Sequence, residues 1–216
     1  MGGDGSESNP YIIRDDHELQ LVTEHLDANY KLGRDIDASG TVNWNNGQGF
    51  NPIGGSFTGS FDGQNHTISN LSINRLDDNN VGLFGRIGAG GEVKNVGVIN
   101  VNITGGEKVG GLVGKNDNGN ISNSYSTGNV TGELTGNVTG EKQVGGLVGY
   151  NYDGTVSNSY WDKDSTGQSS SAGLPDSNGL TTSQMQGSSA SSNMNFEFTS
   201  TWSTVTGDYP ELKWQE

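Results

Sequence analysis

The chain has 216 residues, a formal net charge of −14, no cysteine and an apolar content of only 29%. These figures exclude a disulfide scaffold and a thiolate metal site; no apolar run reaches the ~18 residues of a helical membrane span, and 11 basic residues against 25 acidic ones do not make a nucleic-acid footprint. So little apolar content borders on disorder, so a folded chain must build a narrow core from an ordered repeat.

Residues 1–50 read as an N-terminal cap and a first coil. Asp15 and Glu18 match a capping box, with Asp15 as N-cap and Glu18 at the third helical position. Leu19, Val22 and Leu26 then fall on one helical face, which predicts a short helix over residues 15–27 covering the open first coil.

Residues 51–160 repeat. Val81-Gly82-Leu83-Phe84-Gly85 returns as Val109-Gly110-Gly111-Leu112-Val113-Gly114 and as Val144-Gly145-Gly146-Leu147-Val148-Gly149. A second block follows each: Val93-Lys94-Asn95, Ile121-Ser122-Asn123 and Val156-Ser157-Asn158, with Ile68-Ser69-Asn70 as a degenerate earlier member. The block spacings are 25, 28 and 35 residues, the last stretched because Gly128–Gly132 is copied at Gly136–Gly140. Strand pieces this short are stable only when stacked at a fixed period, each coil pairing with its neighbours. The reading is an all-β solenoid, residues 1–216 forming a single domain. Stacking sets Asn70, Asn95, Asn123 and Asn158 about 4.8 Å apart, where amides form a hydrogen-bonded ladder. The repeated glycines serve positive-φ turns or close strand packing.

Residues 161–216 break the pattern. Asp162-Lys163-Asp164-Ser165-Thr166-Gly167 matches the opening of a calcium loop, although Gly173 replaces the bidentate twelfth ligand; Asp162 and Asp164 are the residues to hold Ca2+ if any do. Asn116-Asp117-Asn118-Gly119 reads as another oxygen-rich turn. Residues 165–193 are Ser/Gly/Thr-rich and read as a loop with one helical turn near Thr182–Gln186. Phe196, Phe198, Trp202, Tyr209, Leu212 and Trp214 then form an irregular aromatic C-terminal cap on the last coil.

Catalytic chemistry finds little support. Of the candidate carboxylates Asp35, Asp37, Asp62, Asp77 and Asp78, Asp62 lies in an Asp-Gly turn and Asp77 and Asp78 in an exposed loop, and no Arg or Lys recurs in register. His17, His25 and His66 match no metalloprotease motif. No cofactor is implied. Six Asn-x-Ser/Thr sequons stand at Asn65, Asn70, Asn102, Asn120, Asn129 and Asn137, with Asn129 and Asn137 the best-exposed candidates for glycosylation. Thr127, Thr131, Thr135 and Thr139 recur every four residues, not every two as a flat ice-binding strand face requires.

The Val-Gly-Gly-Leu-Val-Gly and Ile/Val-Ser-Asn-Ser-Tyr blocks resemble the GLUG repeat of secreted and surface proteins. Asn9–Ile13, Tyr30–Asp37, Phe57–Gly63, His66–Leu71 and Tyr160–Asp162 are similar to other landmarks of such domains. The resemblance implies a right-handed, pectate-lyase-like parallel β-helix, found in large adhesins, filamentous-haemagglutinin-like proteins and non-catalytic parts of immunoglobulin-cleaving metallopeptidases. That family has no agreed molecular activity, so no catalytic residue carries over. The expectation is a non-enzymatic extracellular or cell-surface module, a rigid spacer with an adhesion surface for glycan or protein. The alternatives are a carbohydrate-active enzyme or its accessory domain, and a structural protomer that docks to itself. The acidic, lysine-poor composition also suits a salty medium, where like charges are screened.

Overall fold

The computed structural model describes residues 1–132, 143–200 and 202–212. The insertion at residues 133–142, with Asn137, Thr135 and Thr139, lies outside them, as does Trp214. Among the described residues the protein is mostly β-strand, in parallel sheets without a closed barrel. Sheet A runs Tyr11–Ile13, Asn29–Leu32, Ser60–Asp62, Glu92–Lys94, Asn120–Ser122, Thr155–Ser157. Sheet B runs Ile36–Asp37, Thr67–Ser69, Gly97–Gly105, Tyr125–Gly132, Tyr160–Asp162, Gly179–Leu180, and sheet C runs Phe84–Ile87, Val113–Asp117, Val148–Tyr152. Each repeat gives one strand to sheet C, then A, then B, and each strand pairs in parallel with the one a repeat later.

Side-chain alternation sets the core. Tyr30, Phe61, Val93, Ile121 and Val156 stand opposite one another across sheet A. Ile36, Ile68, Val98, Ser126 and Trp161 do the same in sheet B. Phe84, Val113 and Val148 complete the interior from sheet C. Apart from half-buried Val156, all of these residues are buried, each large apolar side chain contributing about 1.5–3 kcal/mol by transfer from water. The repeat glycines let coils approach. A Cβ at Gly114 would stand 2.5 Å from the Val81 nitrogen, and one at Gly149 2.6 Å from that of Val109. Neither has positive φ; asparagine takes the left-handed corners instead.

Both ends differ from the sequence expectation. The helix spans Asp16–Gln20 and continues as a 3-10 turn over Leu21–Glu24, so it stops short of residue 27. Asp15 is its N-cap, accepting from the Glu18 amide at 2.8 Å, and Leu19 and Val22 are buried beneath it. This helix sits inside the first coil, between two strands of sheet A. The outer edge of Tyr11–Ile13 is instead met by Gly2, whose carbonyl accepts from the Ile12 amide at 2.8 Å. A strand edge needs backbone donors and acceptors, which a helix flank does not offer.

At the other end the aromatic segment is not what covers the last coil. The Ser/Gly-rich stretch covers the last coil: the Ser170 carbonyl accepts from Gly146, Ala172 donates to Val148, and Ser171 Oγ accepts from the Val148 amide at 2.9 Å. It also holds more helix than a loop reading allows, at Lys163–Thr166, Thr182–Met185 with a Thr181/Gln184 capping box, and Gly187–Asn193. The aromatic segment packs on the outer flank of sheet B rather than on the end. Tyr125 and Tyr160 point outward there, joined by Leu180, Met185, Phe196 and Trp202. Phe196 stacks on Trp202 with ring centroids 4.9 Å apart, and Tyr125 OH donates to the Pro210 carbonyl at 2.9 Å. Rings go where outward tyrosines already leave apolar surface.

Candidate functional site

The corners between sheets A and B are turned in two residues, which forces one of them into the left-handed region. Asn95, Asn123 and Asn158 occupy it at φ 55°, 48° and 43°. Asparagine tolerates this conformation better than other residues with a Cβ, and its side chain then points out of the corner. Asn123 Nδ2 donates to Asn95 Oδ1 at 3.2 Å, and Asn95 Nδ2 donates to Asp62 Oδ1 at 3.0 Å. Asn158 Oδ1 accepts from Asn195 Nδ2 at 3.4 Å.

Asn70 does not stand in this column. It follows a strand of sheet B rather than of sheet A, so it turns the next corner, at φ 60°. There it donates to Asp37 Oδ1 at 2.9 Å and accepts from Asn100 Nδ2 at 2.7 Å. Asn70's amide, with help from Ser39, holds the Asp37 carboxyl below the usual carboxylate range. A third pair, not legible in the sequence, lies inside. Asn116, read as part of an exposed turn, is fully buried, donates to Asn151 Oδ1 at 2.8 Å and closes its own turn through both Gly119 backbone groups. Counting alternate residues from inward Val113 puts Asn116 on the outer face, but the burial along Val113–Asp117 does not alternate and Asn116 turns inward.

Beside the first column lies a groove of about 480 Å³ lined by Asn65, Asn95, Asn123, Asn158, Asn195, Phe196, Glu197 and Trp202. One wall is the corner column; the other is the C-terminal segment, whose Phe196 and Trp202 are almost wholly buried and act as backing. Sequence reasoning met Asn65 only as a sequon and missed Asn195, because neither belongs to the repeat. Five amides, each with two donors and an acceptor oxygen, make a surface suited to hydroxyl groups. On the adjoining face of sheet A, Lys31, Asp62 and Lys94 stand in register. Glu92 accepting from Lys94 at 2.7 Å raises the ammonium pKa.

The other sequence candidates have structural tasks. Asp162 is buried and caps the Lys163–Thr166 helix through the Asp164 and Ser165 amides at 2.9 and 3.2 Å. Its other oxygen accepts from Thr182 Oγ1 and Tyr209 OH, both at 2.6 Å. Asp164 accepts from the Thr182 amide at 3.1 Å. The calcium-like spelling therefore folds as a helix cap, with Gly167 ending the turn in the left-handed region. Burial, then the bond to Asp162, pushes the Tyr209 phenol up to about 12. Asp35 accepts from the Thr67 amide and pairs with His66; Asp62 accepts from Gln64; Asp78 pairs with Arg75. His17 pairs with Asp16, and with Asp15 these form the group of three metal-capable side chains among the described residues, Asp15 being already engaged as N-cap. Asn129 and Asn102 are exposed on sheet B, Asn129 donating to Asn102 at 3.1 Å. Thr127 is buried and accepts from the Asn100 amide, so it cannot join a surface threonine array.

Comparison with known proteins places the GLUG motif at residues 105–131 and 140–160; the chain carries this motif. It is 44% identical over 141 residues to halomucin of Haloquadratum walsbyi, a match covering 60% of this chain and 2% of that protein. It is 38% identical over 100 residues to a "Putative Gly-rich membrane protein" of Evansella cellulosilytica, covering 44% of this chain and 12% of that one. The chain thus spans a small part of the length of either relative. Among solved structures it resembles a "putative immunoglobulin A1 protease" from Bacteroides ovatus, with a TM-score of 0.50 and 16% identity over 99% of this chain and 95% of that one. That likeness concerns fold alone.

Proposed function

We propose that this chain is a right-handed parallel β-helical module of a cell-surface protein, non-enzymatic, acting as a rigid spacer whose outer surface adheres to uncharged glycans. The observation that carries the reading is the groove of amides beside the corner asparagines. Its lining holds no ammonium group and one carboxylate, Glu197, and its corner asparagines present donors and acceptors repeated at the strand spacing, which suits weak, multivalent contact with a repeating chain of hydroxyl groups. The similarity to halomucin and to a membrane protein supports a surface location. The tasks found for Asp35, Asp37, Asp62 and Asp78 support a non-catalytic reading, since each holds a turn, an ion pair or an asparagine column.

A glycan array probed at high salt with the purified chain tests this. Binding to neutral glycans that Asn123→Ala and Asn158→Ala both weaken is the expected result. Binding that ignores both substitutions removes the groove from the account, and hydrolysis of any arrayed glycan overturns the non-enzymatic reading.

A further inference from the structure

A second surface feature stands apart from the corner groove. The first coil carries a cavity of about 750 Å³ lined by His17, Gln20, Leu21, Thr23, Trp44, Asn45 and Asn51. The volume is within the ~300–1,000 Å³ of small-molecule sites. In a chain of net charge −14 this lining contains no carboxylate. Trp44 is half-buried; it stacks against buried Phe50 at 6.2 Å and meets the His17 ring edge-on at 4.8 Å. The indole is therefore held before any ligand arrives, which lowers the ordering cost of binding. Leu21, 46% exposed, extends the apolar floor.

Beside this floor the uncharged side chains of Gln20 and Asn45 are held in place. The Gln20 amide is clamped to the Asn51 backbone by two bonds of 2.9 Å. Asn45 Nδ2 donates to the Gly49 carbonyl at 2.8 Å, leaving Oδ1 to accept. The Asn51 side chain makes no hydrogen bond among the described residues. Asn45, Asn46 and Gly47 are all left-handed, at φ 51°, 58° and 84°. Three such residues in a row, two carrying a Cβ, cost conformational energy, and they form the turn that presents Asn45 beside Trp44.

An anionic ligand meets no lysine or arginine here, and a cationic one meets no lining carboxylate. A flat apolar ring face with hydroxyls at its edge suits both halves of the site. We propose that this cavity is a second carbohydrate site, taking a neutral pyranose with its C–H face on Trp44 and Leu21 and its hydroxyls on Asn45, Asn51 and Gln20. It does not depend on the corner groove.

The test is calorimetric titration of the intact chain, at high salt, with soluble uncharged hexasaccharides of glucose, mannose, galactose and N-acetylglucosamine, in parallel with sedimentation of the free protein. At least one sugar should bind. Trp44→Ala should weaken it at least about tenfold and Trp44→Phe by no more than about threefold. Leu21→Ala, at an exposed position that the fold does not need, should weaken it severalfold with an unchanged thermal midpoint. In a protein carrying both Asn123→Ala and Asn158→Ala, Trp44→Ala should still weaken the remaining binding about tenfold, which separates the site from the corner groove. The proposal is overturned if none of the four sugars binds, if Leu21→Ala and Trp44→Phe bind as wild type while a folded Trp44→Ala also does, or if the chain forms a dimer that Leu21→Ala dissolves.

Discussion

Replacing Asn123 by alanine removes two separable things. One is the hydrogen bond to Asn95 Oδ1, at 3.2 Å, with a net worth of about 1 kcal/mol. The other is tolerance of φ 48°, where an alanine pays about 1 kcal/mol more than asparagine. The expected loss is about 2 kcal/mol, or roughly 4–8 °C in thermal midpoint for a chain of this size. A double-mutant cycle separates the terms. Asn95→Ala pays its own backbone cost at φ 55°, but the bond between the two residues is lost only once. The double variant should therefore be less destabilised than the sum of the singles by about 1 kcal/mol. Asn100→Ala, in the other column, should add to Asn123→Ala without coupling. Urea unfolding followed by circular dichroism gives all five values. An Asn123→Ala loss under ~0.5 kcal/mol, within ordinary surface scatter, or a cycle with no coupling, would refute the column as a source of stability.

A Cβ at Gly97 would lie 2.6 Å from the Tyr125 ring, so Gly97→Ala should lift the aromatic flank off sheet B and open residues 181–200 to limited proteolysis; an unchanged digest contradicts that docking. Tyr30 and Tyr209 are both raised to about 12, chiefly by burial, so their contribution is complete below the ordinary phenol value near 10 and fades as pH climbs from there toward 12. The urea midpoint should hold from pH 8 to 9 and fall by pH 11, and a flat profile argues against buried phenols. Asn70→Ala should let the Asp37 carboxyl return toward its usual value in an NMR titration. Because that pKa is depressed in the folded protein, the stability involved is present above the ordinary carboxylate value and is lost as pH falls through the lowered one. Since Asp162 meets amides and hydroxyls, adding or chelating calcium should leave the thermal midpoint within about 1 °C, and a rise that grows with calcium concentration would restore a metal to that turn.

Much of this protein was legible in its repeats. Equal spacing of Val109/Val144 and Ile121/Val156 determined which strands face one another, because identical short segments stack in register or not at all. The corner asparagines were legible too, since a turn's chemistry is written in a few adjacent residues. What the repeats did not determine lies where they stop. Asn70 wears the same local motif as Asn95 yet turns a different corner, because motif position says nothing about which sheet the preceding strand joined. Asn116 looks like a turn residue and is buried, because the strand Val113–Asp117 does not keep strict alternation. At the C-terminal end the sequence points to the aromatic residues as the cap, yet hydroxyl-rich residues 168–180 cover the last coil because a strand edge asks for hydrogen bonds, whereas Phe196 and Trp202 cross to sheet B because Tyr125 and Tyr160 leave apolar surface there. That apolar flank and the groove beside it exist only once residues far apart in sequence have been folded side by side, so only the tertiary structure decided them.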